Sequence, residues 1–197
     1  MDLQILSEKL SNEDKILTTS RLYELGISQR QITGLVEKEF LVRIKSGYYR
    51  MYEAKVSPDE IIVRLFPEGI LTMESACHVY GYIKREPMEY SVAVNKNTSK
   101  SRFNLQYPFV RAYYTDENVL SMGVCEIPFG GRTMKIYSKE RLICEVLKFE
   151  DRMSRDDVKS TLTSYIKEKD HDLTRLTEYA LKRQVKNKVA QRLGDWL

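Results

Sequence analysis

The chain has 197 residues, 42% of them hydrophobic and 30% charged, with 32 Lys and Arg against 28 Asp and Glu for a formal net charge of +4. That composition excludes an intrinsically disordered chain, and the length is enough for one domain, or two small ones, with a core that needs no metal or disulfide. The mild basic charge permits nucleic-acid binding without requiring it. No stretch approaches the ~18 consecutive apolar residues of a membrane span, and the opening MDLQILSEKL lacks the apolar run of a signal peptide.

Leu3, Ile5, Leu6 and Leu10 fall at helical spacing and predict a first helix. A hydroxyl among Thr18, Thr19 and Ser20 caps a second helix carrying Leu22, Tyr23 and Leu25, and Gly26 closes it. Ser28 opens a third, with Gln31 three residues on in the capping-box pattern. Ile32, Leu35 and Val36 form its buried face, while Gln29, Arg30 and Thr33 lie on the other side. Gly34 in that helix costs ~1 kcal/mol relative to Ala, which close packing against a neighbour or a DNA backbone would explain. Phe40, Val42 and Ile44 then alternate with Leu41, Arg43 and Lys45, Ser46-Gly47 turns the chain, and Tyr48-Tyr49-Arg50 returns. Residues 1–54 thus read as a winged helix-turn-helix.

A second region, 58–197, begins with an apolar-periodic segment from Asp59 to Phe66, broken at Pro67-Glu68-Gly69. Ile70 to Tyr82 reads as a helix capped by Thr72 and ended by Gly81. Strands are expected at Tyr90 to Val94, Phe109 to Tyr114, Gly123 to Phe129 and Thr133 to Tyr137, the last two joined by a Gly130-Gly131 turn. Asn95 to Arg102 is a polar, basic loop. From Ser138 onward the pattern is helical: Leu142, Ile143, Val146 and Leu147 make one core face, and Asp156 to Tyr165 and Asp172 to Leu193 give two further helices. The expected class is α+β, with a mixed second domain ending in helices.

A helix-turn-helix lays its second helix in the major groove, N-terminal residues nearest the bases. Gln29 suits adenine and Arg30 suits guanine, Ser28 caps the helix or meets a phosphate with its N-terminus, and Thr33 and Lys38 extend the surface. On the hairpin, Arg43, Lys45, Ser46, Tyr48 and Arg50 are candidates for phosphate or minor-groove contact. Arg21 to Arg50 holds six basic residues and three acidic ones. A winged helix also serves protein contact, and fold does not establish function.

The residues that carry a family likeness are Leu25-Gly26-Ile27-Ser28, Leu41-Val42-Arg43 and Gly47-Tyr48-Tyr49, followed by PEGILTMESACHVYGY (Pro67 to Tyr82) and KERLICEVLKF (Lys139 to Phe149). Together these resemble the AbiEi-type antitoxins of bacterial abortive-infection systems. The resemblance implies a cytoplasmic phage-defence protein of a type IV toxin–antitoxin pair. Such a protein binds inverted repeats in double-stranded DNA as two protomers and represses its own operon. Residues 58–197 would then be an antitoxin domain that opposes a nucleotidyltransferase-like toxin without a stable complex. The resemblance supplies no catalytic residue and no cofactor.

Lys182, Arg183, Lys186, Lys188 and Arg192 form a basic stretch over Leu181 to Leu193, read either as a solvated face that suits the helix dipole or as a second basic surface. The first three are expected on its outer side, and Trp196 and Leu197 are expected to pack back on the domain. Catalytic and metal readings are weak. Gly130-Gly131 lacks a phosphate-loop pattern, and adjacent Cys77 and His78 point apart on a helix. Glu140, Glu145 and Glu150 lack ligand spacing and read as solvated charges. The three cysteines, Cys77, Cys125 and Cys144, form no CxxC and read as buried thiols in a reducing compartment. Two alternatives stay open: a plain regulator whose second domain senses a ligand, and a winged-helix protein-interaction module.

Overall fold

The computed structural model describes residues 6, 7, 9, 10 and 13–194, and within it several strand and helix elements are followed by a largely helical C-terminal region, a mixed α+β architecture. The expected first helix lies partly outside the described residues; Leu6, Ser7, Lys9 and Leu10 are helical. The placement expected for Trp196 and Leu197 also falls outside them.

A short strand β1 (Ile16–Thr18) leads into α1 (Thr19–Glu24) and α2 (Gln29–Glu37), followed by β2 (Leu41–Lys45) and β3 (Tyr48–Met51). The local chemistry explains the boundaries. Thr18 accepts from the Arg21 N–H at the start of α1. At α2 the Ser28 hydroxyl accepts from the Gln31 N–H while the Gln31 side chain accepts from the Ser28 N–H, so the capping box is complete. Gly47 turns the hairpin at φ +81°, a left-handed conformation that glycine adopts without a Cβ penalty. The three strands form an antiparallel sheet ordered β1-β3-β2, with Leu17 facing Tyr49 and Arg43 facing Tyr49 from the other side. Strand β1 has no counterpart in the sequence expectation; three residues are too few to show alternation. Under this sheet Leu6, Leu10, Leu17, Leu22, Ile27, Ile32, Leu35, Leu41 and Tyr49 make one hydrophobic cluster.

The second sheet has five strands in the order β6-β5-β4-β8-β7: β4 (Ile70–Leu71), β5 (Tyr90–Asn95), β6 (Val110–Thr115), β7 (Val124–Phe129) and β8 (Arg132–Tyr137). Strand β4 lies at its centre, antiparallel to β5 and parallel to β8. Ile70 and Leu71 were expected to open a helix. They instead enter the sheet, and the helix α4 (Met73–Val79) starts after Thr72, the cap position expected for it, although the Thr72 hydroxyl makes no cap bond. Helix α3 (Pro58–Leu65) has a Ser57–Glu60 capping box and Pro58 in its first turn. A short helix α5 (Glu117–Leu120) precedes β7. At the β7–β8 turn, a Cβ on Gly130 would come within 2.5 Å of the Asp59 backbone, so the hairpin tip abuts the start of α3.

Helix α6 (Lys139–Lys148) is the hub of the C-terminal region, packed among α4, α7 (Arg155–Lys167), α8 (Leu173–Lys182) and α9 (Lys186–Leu193). Every residue from Glu140 to Leu147 is buried, and this corrects the expectation of a single core face with solvated acids opposite. The Glu145 carboxylate, 1% exposed, accepts from Arg141 Nε at 2.8 Å and from Arg183 Nη2 at 2.8 Å, and so pairs with two guanidinium groups at once. Arg141 lies over the Tyr137 ring at 4.5 Å, and its two terminal nitrogens have no hydrogen-bond partner. The predicted helix over 172–193 is split: Gln184 sits at φ +61° between α8 and α9. Arg183 turns inward at that break.

The two regions touch. Ile16 and Ile44 belong to the larger hydrophobic cluster that fills the second region. Asp14 pairs with Arg132 at 2.7 Å and Arg64 at 3.3 Å, and Lys15 pairs with Glu60 at 3.0 Å.

Candidate nucleic-acid interface

The exposed face of α2 is set by its two buried residues, Ile32 and Leu35. With those anchored in the small cluster, Gln29, Arg30, Thr33 and Glu37 stand in solvent, and Ser28 is exposed at the N-terminus. The helix therefore offers unsatisfied N–H groups, one guanidinium and one amide at its leading end, an arrangement suited to an anion or a base edge. Tyr23, which sequence reasoning passed over, donates its hydroxyl to Gln29 Oε1 at 2.8 Å and leaves the amide NH₂ outward as a donor. Its spacing across the Gly26 turn is the signal that would have found it. The Thr33 hydroxyl donates back to the Gln29 carbonyl at 3.1 Å, so its acceptor lone pairs are what it has left to offer. A Cβ on Gly34 would meet nothing within 4 Å, so packing inside the chain does not account for the glycine.

Lys38 follows as the C-cap residue and is exposed. On the hairpin, Arg43 is exposed and rests over the Tyr49 ring at 5.7 Å, and Ser46 is exposed at the turn. Tyr48 is half-buried against the larger cluster. Two residues sit differently from their expected outward role. Lys45 is half-buried, donates to the Arg102 carbonyl at 3.2 Å, and lies over Tyr48 and Phe66. Burial, and then the neighbouring Arg102 charge, pull its pKa below the usual lysine value. Arg50 donates from Nη1 to the carbonyls of Met51, Tyr52 and Ala54 at 3.0, 2.9 and 3.3 Å, which fixes the exit of the sheet. Of the candidate residues, Ser28, Gln29, Arg30, Thr33, Lys38, Arg43 and Ser46 are exposed, with Glu37 and Glu39 exposed among them and Tyr48, Lys45 and Arg50 half-buried.

The second basic surface is dispersed. Arg183, expected on the outside, is 5% exposed and held by Glu145. Lys182 is exposed but pairs with Glu178 at 2.7 Å. Lys188 and Arg192 both reach Glu150, at 2.8 and 3.0 Å, and Lys188 also donates to the Leu147 carbonyl. Lys186 is exposed. The break at Gln184 is what turns these side chains in different directions.

The residues weighed for chemistry are placed apart from this surface. Burial pushes the Cys77 thiol up to about 12, so it holds its proton at neutral pH, and His78 Nδ1 faces the Ile83 carbonyl at 3.2 Å. Cys144 is buried, whereas Cys125 is exposed, which corrects the reading of three buried thiols. Among the described residues no group of three or more His, Cys, Asp or Glu is arranged to hold a metal ion, and no helix is long and apolar enough to cross a membrane.

No family model matches the chain, and no curated protein matches it. Among solved structures it is similar to the "Crystal structure of RV2827C protein from Mycobacterium tuberculosis", with a TM-score of 0.73 and 16% sequence identity over 98% of this chain and 74% of that chain. At that identity the likeness speaks to the fold alone.

Proposed function

We propose that this chain is an autoregulatory, operator-binding antitoxin of the AbiEi kind. Residues 1–54 act as a winged helix-turn-helix, α2 is the recognition helix, and β2–β3 is the wing. The observation that carries the DNA half is the Ser28-capped α2, which holds Gln29, Arg30 and Thr33 in solvent beside a hairpin bearing exposed Arg43. Arg30 reads a base, Arg43 and Lys38 meet phosphates, and bare Gly34 lets a phosphate backbone come close. Two protomers occupy inverted half-sites about one helical turn apart, ~34 Å, and repression follows from blocking RNA polymerase. The antitoxin half rests on the motif runs Leu25 to Ser28, Leu41 to Arg43, Pro67 to Tyr82 and Lys139 to Phe149. In this reading residues 58–197 oppose a nucleotidyltransferase-like toxin without a stable complex.

The test is a gel shift on the chain's own upstream DNA, with a scrambled duplex and a salt series alongside. Selective binding that weakens steeply with salt is expected. Equal binding to both duplexes overturns the operator role. Co-expression with the toxin encoded beside it tests the second half: toxicity must fall, and unrelieved toxicity overturns the antitoxin role. A second reading, a regulator whose second domain senses a small ligand, draws on a cavity of about 240 Å³ lined by Asp59, His78, Tyr90, Tyr107 and Phe129 among others. Under that reading a small molecule alters DNA affinity, and the toxin is unaffected.

A further inference from the structure

A groove of about 860 Å³ lies far in sequence from the DNA-reading residues, between α7, the turn at Glu150 and Asp151, and Arg192 at the end of α9. Its floor is one row of α7. Val158, Leu162 and Ile166 stand four residues apart, and because a helix turns every ~3.6 residues they share a single stripe. Val158 and Leu162 belong to the core and show only 7% and 8% of their surface, while Ile166 packs against it half-buried, so the stripe reaches the groove mainly at Ile166 and at the edges of the other two.

The rim is charged and lopsided. Arg155, Lys159 and Lys167 rise from α7 and Arg192 faces them, against two carboxylates, Glu150 and Asp151. Glu150 is already engaged by Lys188 and Arg192. Arg155, Lys159 and Lys167 are exposed, and none of the ion pairs among the described residues includes them. Arg155 and Lys159, one turn apart on the helix, repel each other and are relieved by an anionic partner, and Lys167 extends the same row about two turns further on.

Floor and rim together select the chemistry of that partner. A nucleic-acid backbone would satisfy the rim but leave an apolar stripe beneath its phosphates. A purely apolar chain would fill the floor and leave the cations unmatched. A helix with apolar residues at four-residue spacing and carboxylates on both flanks meets both demands. The 13-residue α7 gives it ~20 Å of track, about three and a half turns. We propose that this groove receives an acidic amphipathic helix of a partner protein, independently of the operator reading.

Fluorescence anisotropy of the full chain tests this, with a labelled peptide of about 15 residues bearing Leu at four-residue spacing and Glu on both flanks. A second peptide with Lys replacing each Glu, a single-stranded RNA of the same charge and a medium-chain fatty acid serve as comparators. The acidic peptide is expected to bind at least ~10-fold more tightly than its Lys counterpart. Arg155→Glu combined with Lys159→Glu should remove that preference while leaving the thermal transition in place, since both side chains are exposed. Ile166→Glu should weaken the acidic peptide without altering RNA affinity. Equal binding of both peptides overturns the proposal. So does RNA binding as tightly as the acidic peptide with the same sensitivity to the double variant, which would mark a polyanion surface. Displacement of the peptide by fatty acid at lower concentration overturns it in favour of a lipid site.

Discussion

Helices α2 and α6 have nearly the same length, nine and ten residues, and both carry an amphipathic pattern, yet they are used in opposite ways. Helix α2 buries Ile32 and Leu35 and gives its polar face to solvent. Helix α6 buries its polar face too, by pairing its own Glu145 with its own Arg141 and with Arg183 from the end of α8. An apolar stripe tells which side of a helix is certain to be inside. It says nothing about the other side when the partners of the charges there come from distant sequence. The same polar residue types are therefore candidates for recognition on one helix and internal supports on the other.

The sharpest way to break this contrast is Glu145→Gln. Removing the carboxylate strands two buried guanidiniums, and a loss of ~3–5 kcal/mol is expected, read by urea denaturation at neutral pH. A loss under ~1 kcal/mol would mean that water already reaches the triad. Replacing all three residues together with apolar ones of similar volume should come out near neutral or better. On α2 the expected effect is functional. Arg30→Ala should cost ~1–3 kcal/mol at its matched base pair and leave folding stability within ~0.5 kcal/mol. Equal losses on cognate and scrambled DNA would remove α2 from the recognition role. Ser28→Ala removes the hydroxyl that accepts from Gln31 and should lower stability by ~1 kcal/mol, seen as a lower melting temperature of the free protein. A melting temperature unchanged by this substitution would show that the cap contributes nothing.

The smallest effect is expected at Glu150, the half-buried counterpart of Glu145. Its hydrogen bond from Lys188, with Arg192 nearby, holds its pKa below the usual carboxylate value. A lowered carboxylate pKa adds stability above the ordinary carboxylate range, and that stability is lost as pH falls through the lowered value. Glu150→Gln should therefore cost at most ~1 kcal/mol at neutral pH and nothing in acid. Denaturation at the two pH values checks the difference, and an equal cost at both would sink the assignment.

Much of α2 was legible because its determinants are local: Ser28 and Gln31 are three residues apart, and Gly26 and Gly47 mark the turns. The strands from β5 to β8 were legible for the same reason, as short strand-like runs with the Gly130-Gly131 turn between the last two. What stayed hidden depends on partners far along the chain. Lys45 reads as a free cation until Arg102, 57 residues on, offers its carbonyl. Arg183 reads as solvated until Glu145 appears 38 residues before it. Strands β1 and β4 are three and two residues long, too short for any periodicity, and β4 borrows its identity from β5 and β8. The break at Gln184 has neither Gly nor Pro to announce it.

That two-residue β4 also orders events during synthesis. Ile70 and Leu71 join the β5–β6 and β7–β8 halves of the larger sheet, pairing with Val92 and Ala93 on one side and with Lys135 and Ile136 on the other. The small sheet closes within residues 16–51. A nascent chain can therefore complete its small sheet soon after residue 51 clears the ribosome, whereas the larger sheet waits for residue 136 with its centre strand paired on one side only. Through that interval the exposed β4 edge is the part of the chain most in need of shelter from other strands.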